Sequence, residues 1–228
     1  MKKTLCAACV ASLFTLAGAA HANVIVNGSF EQGTFSPVIA DHFVDLNPGD
    51  TKLTGWGILP GRKANWHRAE TFNVSPAQDG MYMVDLNDTS GGPTAGLFQD
   101  FATMNGGTYL LSFWLAGPQV SFGNPRGVRV SVGNQSNVLF TAPASDPVNN
   151  ITWYQQTLTF TATGSSTNLL FDGFDANSRN HWGAFIDNVC VVSTQGPNDC
   201  PTGTVPGPAT LLLLGAGLLG LRVVRRTK

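Results

Sequence analysis

The sequence predicts an all-β domain, a two-sheet sandwich or jelly roll, carried between two short apolar ends. Three observations predict it. No stretch of the core keeps a helical apolar period over three turns, short runs of alternating apolar and polar residues recur, and Gly, Pro, Asn and Asp separate those runs. Many short strands with turn signals at regular intervals are the signature of a sandwich or jelly roll. There is no internal repeat.

Taken in order, the first element is an export signal over residues 1–22. Lys2 and Lys3 are basic, Leu5 to Ala20 is apolar, and Ala20-His21-Ala22 is an A-x-A cleavage site, so the exported chain is expected to begin near Asn23. The β domain is expected over 23–194. In TYLLSFWLA (108–116), Tyr109, Leu111, Phe113 and Leu115 share one side while Leu110, Trp114 and Ala116 make the other side apolar too, which predicts a central strand covered on both faces. In RGVRVSV (126–132), Val128, Val130 and Val132 face one way, and in WYQQTLTFTAT (153–163) Tyr154, Leu158, Phe160 and Ala162 do. NLLFDGF and WGAFIDNVCVV supply the closing strands, and a Gly/Pro-rich linker follows over 195–204.

The last element is the tail, 205–228. Its uncharged apolar run, Ala209 to Leu221, has 13 residues. At helical rise such a run covers roughly 20 Å, against a bilayer core of roughly 30 Å. Pro206 and Pro208 break the chain before it, and Arg222, Arg225, Arg226 and Lys228 close it, as on the cytoplasmic side of a membrane. A short transmembrane helix is expected. The order Val205-Pro206-x-Pro208-Ala209-Thr210, apolar helix, Arg cluster resembles the PEP-CTERM sorting signal, with Gly207 in place of that family's central Glu. The resemblance implies an exosortase-type processing enzyme as partner and transient anchorage in the inner membrane with the domain outside. Release to the cell surface or extracellular matrix would follow, after cleavage near Pro206–Ala209.

Charge separates the parts. All fourteen acidic residues lie in 23–204 against seven basic ones, so the exported portion carries about −7, and the six basic residues of the two ends bring the whole chain to −1. An acidic domain repels phosphate backbones, which excludes nucleic acid as a partner. Cys6 and Cys9 leave with the signal, and Cys190 and Cys200 remain as a pair in an oxidising compartment. A disulfide between them closes a short loop, worth roughly 2.5–3 kcal/mol in the chain-entropy model.

No enzyme motif is present: the sequence has neither G-x-S-x-G nor H-E-x-x-H, and His42, His67 and His181 lie far apart. Two core glutamates, Glu31 and Glu70, stand among twelve aspartates with no spacing that nominates a glycosidase pair. A non-catalytic role is expected. Of five tryptophans, Trp56, Trp114 and Trp153 read as core filler. Trp66 lies in RKANWHRAE beside His67 and Arg68, and Trp182 lies in NSRNHWG beside Arg179 and His181. An aromatic ring flanked by polar side chains is what a sugar-binding face needs, so these two loops are the expected ligand residues.

VNGSFEQG (26–33), LTGW (53–56), DGMYMVDLN (79–87) with AGLFQDFATMNGGTYLLSFWLAG (95–117), and TLTFTATGSSTNLLF (157–171) with FIDNV (185–189) resemble the choice-of-anchor C family. Those are exported jelly rolls of the galactose-binding-like type, and the resemblance covers nearly the whole core. It implies a structural calcium held by Glu31 and Asp187. The other reading is that Glu31 hydrogen-bonds a turn and Asp187 orders neighbouring backbone. The expected function is association with extracellular polysaccharide. The alternatives are a structural or adhesive matrix protein that binds protein partners without sugar recognition and, third, a secreted glycan hydrolase.

Overall fold

In the computed structural model, residues 23–36, 43–69, 76–86, 95–117, 126–142, 151–175, 183–195 and 200 are described. The expected signal peptide, the tail from Val205 to Lys228, and Arg179, His181 and Trp182 lie outside them. Eleven strands follow in order: β1 Phe43–Leu46, β2 Gly57–Ile58, β3 Ala64–Arg68, β4 Tyr82–Asp85, β5 Gly96–Ala102, β6 Thr108–Ala116, β7 Arg126–Val132, β8 Gln135–Ala142, β9 Trp153–Thr161, β10 Ser166–Asp175 and β11 Phe185–Ser193. No helix occurs among the described residues.

The last eight strands pair as nested antiparallel partners: β7 with β8, β6 with β9, β5 with β10 and β4 with β11. That is one long hairpin rolled up, the jelly-roll path. The roll closes where β10 also pairs β7 and β11 also pairs β6. A six-stranded sheet results in the order β1-β3-β4-β11-β6-β9, and a five-stranded one in the order β2-β5-β10-β7-β8.

The core lies between the sheets. Leu111, Phe113, Leu115, Val128, Val130, Leu169, Phe171, Ile186 and Val191 are all fully buried there. On β6, β7 and β10 these are alternate positions of the strand, and on β11 Ile186 and Val191 reach the same core because the register shifts between Asp187 and Cys190. The central placement expected for 108–116 holds, since β6 lies between β11 and β9.

The N-terminal segment locks onto β11. Val24 donates to the Val191 carbonyl at 3.0 Å, Asn23 Oδ1 accepts from the amides of Ile25 and Val191, and Val189 donates to the Gly28 carbonyl at 2.8 Å. A Cβ on Gly28 would collide with the Val189 carbonyl oxygen, so only glycine allows this approach. The register of β11 shifts between Asp187 and Cys190, where Asn188 takes a φ of 48°. A bulge of this kind re-aims the side chains around it. Cys190 and Cys200 form the disulfide expected from the sequence.

Candidate functional site

Register sets the outward face of the six-stranded sheet. Asp45, Asn65, Asp85 and Phe185 are cross-strand neighbours on β1, β3, β4 and β11, and Phe43, His67 and Met83 make the adjacent row. The outer face of an antiparallel sheet is ordinarily wet. Here Asn65 and Asp85 are each only 1% exposed and His67 4%, whereas Asp45 on the edge strand is exposed. The result is a polar strip that starts in solvent and runs inward under cover.

Each member of the strip has a defined hold. Asn65 Nδ2 donates to Asp45 Oδ1 at 2.6 Å. Asp85 Oδ1 accepts the Gly183 N–H at 2.9 Å, and Asp85 Oδ2 lies 3.9 Å from His67 Nε2. The imidazole sits between Phe43, at 5.1 Å between ring centroids, and Phe185, edge-on at 5.8 Å. Asn65 Oδ1 is buried and, among the described residues, has no hydrogen-bond partner. An unmet buried acceptor costs about 1–3 kcal/mol.

One described residue from each stretch singled out in the sequence meets Asp85. His67, from the first, is beside its carboxylate, and Gly183, the residue after Trp182, donates to it. Neither Asp45, Asn65 nor Asp85 was singled out from sequence. The available signal was parity: Asn65 and His67 are two apart, so they share a face that Trp66 cannot.

The expectation that Trp66 stacks on a ligand is therefore corrected. Trp66 is 1% exposed and faces the core, its Nε1 donates to the Phe30 carbonyl at 3.1 Å, and its ring packs edge-on against Phe35 and tilted on Tyr82. A ring covered by core has no face left for a sugar. Arg68 shares Trp66's side of β3 and is exposed at the strand end, so of these three only His67 joins the outward strip. Trp56 is core as expected, but Trp114 and Trp153 are half-buried on the outward face, opposite Asp187 and Ala116. Trp114 Nε1 is a second buried atom with no partner among the described residues, while Trp153 Nε1 donates to the Pro76 carbonyl.

Glu31 and Asp187 meet on one turn. Glu31 Oε1 accepts the amides of Met81 and Tyr82 at 2.8 and 2.7 Å, and Gly80 lies so close that a Cβ there would strike the Glu31 carboxyl. Asp187 Oδ2 accepts from Asp79 N at 2.9 Å and Oδ1 from Asn188 N at 2.6 Å. Burial pushes the Asp187 carboxyl well above its usual range and the neighbouring Asp79 charge adds to that, while backbone N–H groups of Asp79, Asn188 and Gln78 pull the other way. The pair thus clamps residues 78–82 by hydrogen bonds. A carboxylate offers about four lone-pair sites, so in donor chemistry the corner also fits a hard cation that takes oxygen ligands. No group of three or more His, Cys, Asp or Glu side chains able to hold a metal occurs among the described residues.

A family profile described as "Protein of unknown function (DUF642)" matches residues 23–192, the stretch read as the core. Halomucin of Haloquadratum walsbyi is 29% identical over 191 residues, which is 82% of this chain but 2% of halomucin, so the chain spans a small part of that relative's length. Among solved structures, the Stig cyclase Fisc from Fischerella sp. TAU is 18% identical with a TM-score of 0.51, covering 77% of this chain and 98% of that one. TmCBM61 in complex with β-1,4-galactotriose is 15% identical with a TM-score of 0.44, covering 75% and 98%. At such identities the cyclase shows the fold alone.

Proposed function

This chain belongs to the DUF642 family, and on that premise we propose that it is an exported, non-catalytic protein of the cell surface or extracellular matrix that associates with polysaccharide. One observation carries the reading. On the outward face of the six-stranded sheet, a polar strip begins in solvent at Asp45, runs inward through Asn65 and Asp85, and is flanked by the Phe43, His67 and Phe185 rings. Polar acceptors set among rings are the means by which a pyranose is held.

The test is affinity electrophoresis on gels containing the host's exopolysaccharide and common glycans, with calcium. Retention that falls several-fold in Asp45→Ala and in Asn65→Leu, with melting temperatures recorded for both, supports the site. Retention on no glycan, or retention indifferent to both substitutions, overturns the reading.

Two further parts belong to the proposal. Sorting by an exosortase-type enzyme is supported by Val205, Pro206, Pro208 and Ala209 followed by Arg222, Arg225 and Arg226. Native protein still carrying residues 210–228 by mass spectrometry would refute it. A structural calcium at Glu31 and Asp187 is supported by the two carboxyl groups both reaching the turn at residues 79–82. The two carboxylates would hold the ion and the ion would fix the turn. A calcium titration that leaves the melting temperature unmoved removes that part.

A second reading has an observation of its own. Asp45 and Asp85 flank Asn65 in one cross-strand row, two strand spacings apart, about 9.5 Å between Cα atoms. Glycosidases work with a pair of carboxyl groups flanking the bond they cut. Hydrolysis ranks second because Asp85 Oδ1 is already engaged by Gly183 and Asp45 Oδ1 by Asn65. Reducing ends released from a retained glycan, and lost in Asp85→Asn, would promote it.

A further inference from the structure

The outward face of the five-stranded sheet carries an arginine whose donors are uncommitted. Leu169 and Phe171 of β10 and Val128 and Val130 of β7 point into the core. Strand alternation therefore turns Leu170, Asp172 and Phe174 of β10 and Arg129 of β7 outward. Register seats Arg129 between Leu139 of β8 and Asp172 of β10. Its guanidinium lies over the Phe174 ring, 4.4 Å from the centroid. Among the described residues Arg129 makes no hydrogen bond and no ion pair, and Asp172 is paired instead with Arg62, at 3.5 Å.

A guanidinium stays ionised and carries five N–H donors in a planar fork. Stacking on a ring uses none of those donors, because they lie in the guanidinium plane. The group is also reachable. Arg129, Phe98, Leu170 and Phe174 are each half-buried, and Leu139, directly beside Arg129 on the edge strand, is 47% exposed. Charge is balanced here as it is not over the whole exported portion, where fourteen acidic residues face seven basic ones. The strands of this sheet hold Asp100, Asp172 and Asp175 against Arg126 and Arg129, with Arg62 alongside.

We infer that this face binds the carboxylates of a uronate-bearing polysaccharide, with the Arg129 fork on a carboxylate and Leu139, Leu170 and Phe98 under the sugar rings. A carboxylate accepts two parallel N–H bonds from a guanidinium, a match that no hydroxyl offers. The net charge of the exported portion repels a polyanion from afar, but at about 0.15 M salt charges more than roughly 8 Å apart are largely screened. The contact itself then decides. This step rests on the polysaccharide reading above and adds a second face to it, on the other sheet from the strip of β1, β3 and β4.

The experiment is affinity electrophoresis of the full-length chain in detergent, at physiological salt, on gels containing matched pairs. These are polygalacturonate and its methyl ester, alginate and its propylene-glycol ester, and the host's exopolysaccharide before and after reduction of its carboxyl groups. In the pair that binds, retention on the uronate member is expected to exceed that on its uncharged partner about fivefold or more, the scale of one well-formed ion pair. Arg129→Ala is expected to abolish that preference, and Arg129→Lys, which keeps the charge but not the fork, to weaken it several-fold. Arg68→Ala removes the same charge from the end of β3, on the other sheet, and is expected to leave the preference unchanged. Melting temperatures are recorded for each variant. No preference in the wild type, full preference in Arg129→Lys, or an equal response to Arg129→Ala and Arg68→Ala overturns the inference, while retention on the uncharged members keeps the polysaccharide reading intact. Retention on no member of any pair sinks both.

Discussion

On the five-stranded sheet, burial alternates with the pleat: Leu97, Gln99 and Phe101 of β5 are buried, while Asp100 and Ala102 are exposed. On the six-stranded sheet it does not, and every residue of β11 from Phe185 to Val192 is buried, as are Asn65 and His67 on the outward side of β3. The first face leaves Asp100 in water, as an open antiparallel face does. The second must pair its polar groups under cover, Asp85 with Gly183 and Asp187 with the amides of Asp79 and Asn188.

Four measurements break or sharpen this contrast. The largest effect is expected at Trp66, which separates core from outward face: Trp66→Ala should cost about 3–5 kcal/mol in urea unfolding. A loss below about 1 kcal/mol, together with loss of glycan retention, would place that ring at the surface after all. Next comes a matched pair, one aspartate from each face. Asp85→Ala leaves the buried Gly183 amide without its acceptor and removes the carboxylate beside His67, and should cost about 3 kcal/mol, whereas Asp100→Ala should stay within about 0.5 kcal/mol. Equal costs would erase the distinction between the faces.

Removing the disulfide by Cys190→Ser with Cys200→Ser should cost about 2.5 kcal/mol, since it closes a span of only ten residues. An unchanged unfolding midpoint would mean the ring contributes nothing to stability.

The smallest effect is a pH slope. Because burial raises the folded-state pKa of Asp187 above its unfolded value, the native state binds the proton more tightly. This contribution is then fully present below the unfolded carboxylate pKa of about 3.9 and is lost as pH rises through the raised value. The melting temperature of the wild type minus that of Asp187→Asn should therefore grow as pH falls from 7 toward 4 in chelator. Bound calcium would keep the carboxylate ionised and flatten or invert that slope, so the same titration with calcium added reads the proposed ion directly. A flat difference in chelator would mean Asp187 ionises as freely folded as unfolded.

Much of the fold was legible locally. Alternation in 108–116, 126–132 and 153–163 placed Leu111, Phe113, Val128, Val130 and Phe160 in the core, where they lie. Compartment and parity of cysteines gave Cys190–Cys200. The site was legible only in part. His67 was named, but Trp66 drew attention because large rings beside polar residues resemble a binding loop, and its neighbours Asn65 and Asp85 looked ordinary.

The sequence by itself determined that these residues form strands, which of their sides is apolar, and which cysteines can pair, because period and composition are properties of a short stretch of chain. Only the tertiary structure decided that Asp45, Asn65 and Asp85 share a row and that this row is covered. Register across β1, β3 and β4 joins residues twenty positions apart, and cover depends on what packs over a face. Neither quantity is stored in the spacing of any single segment.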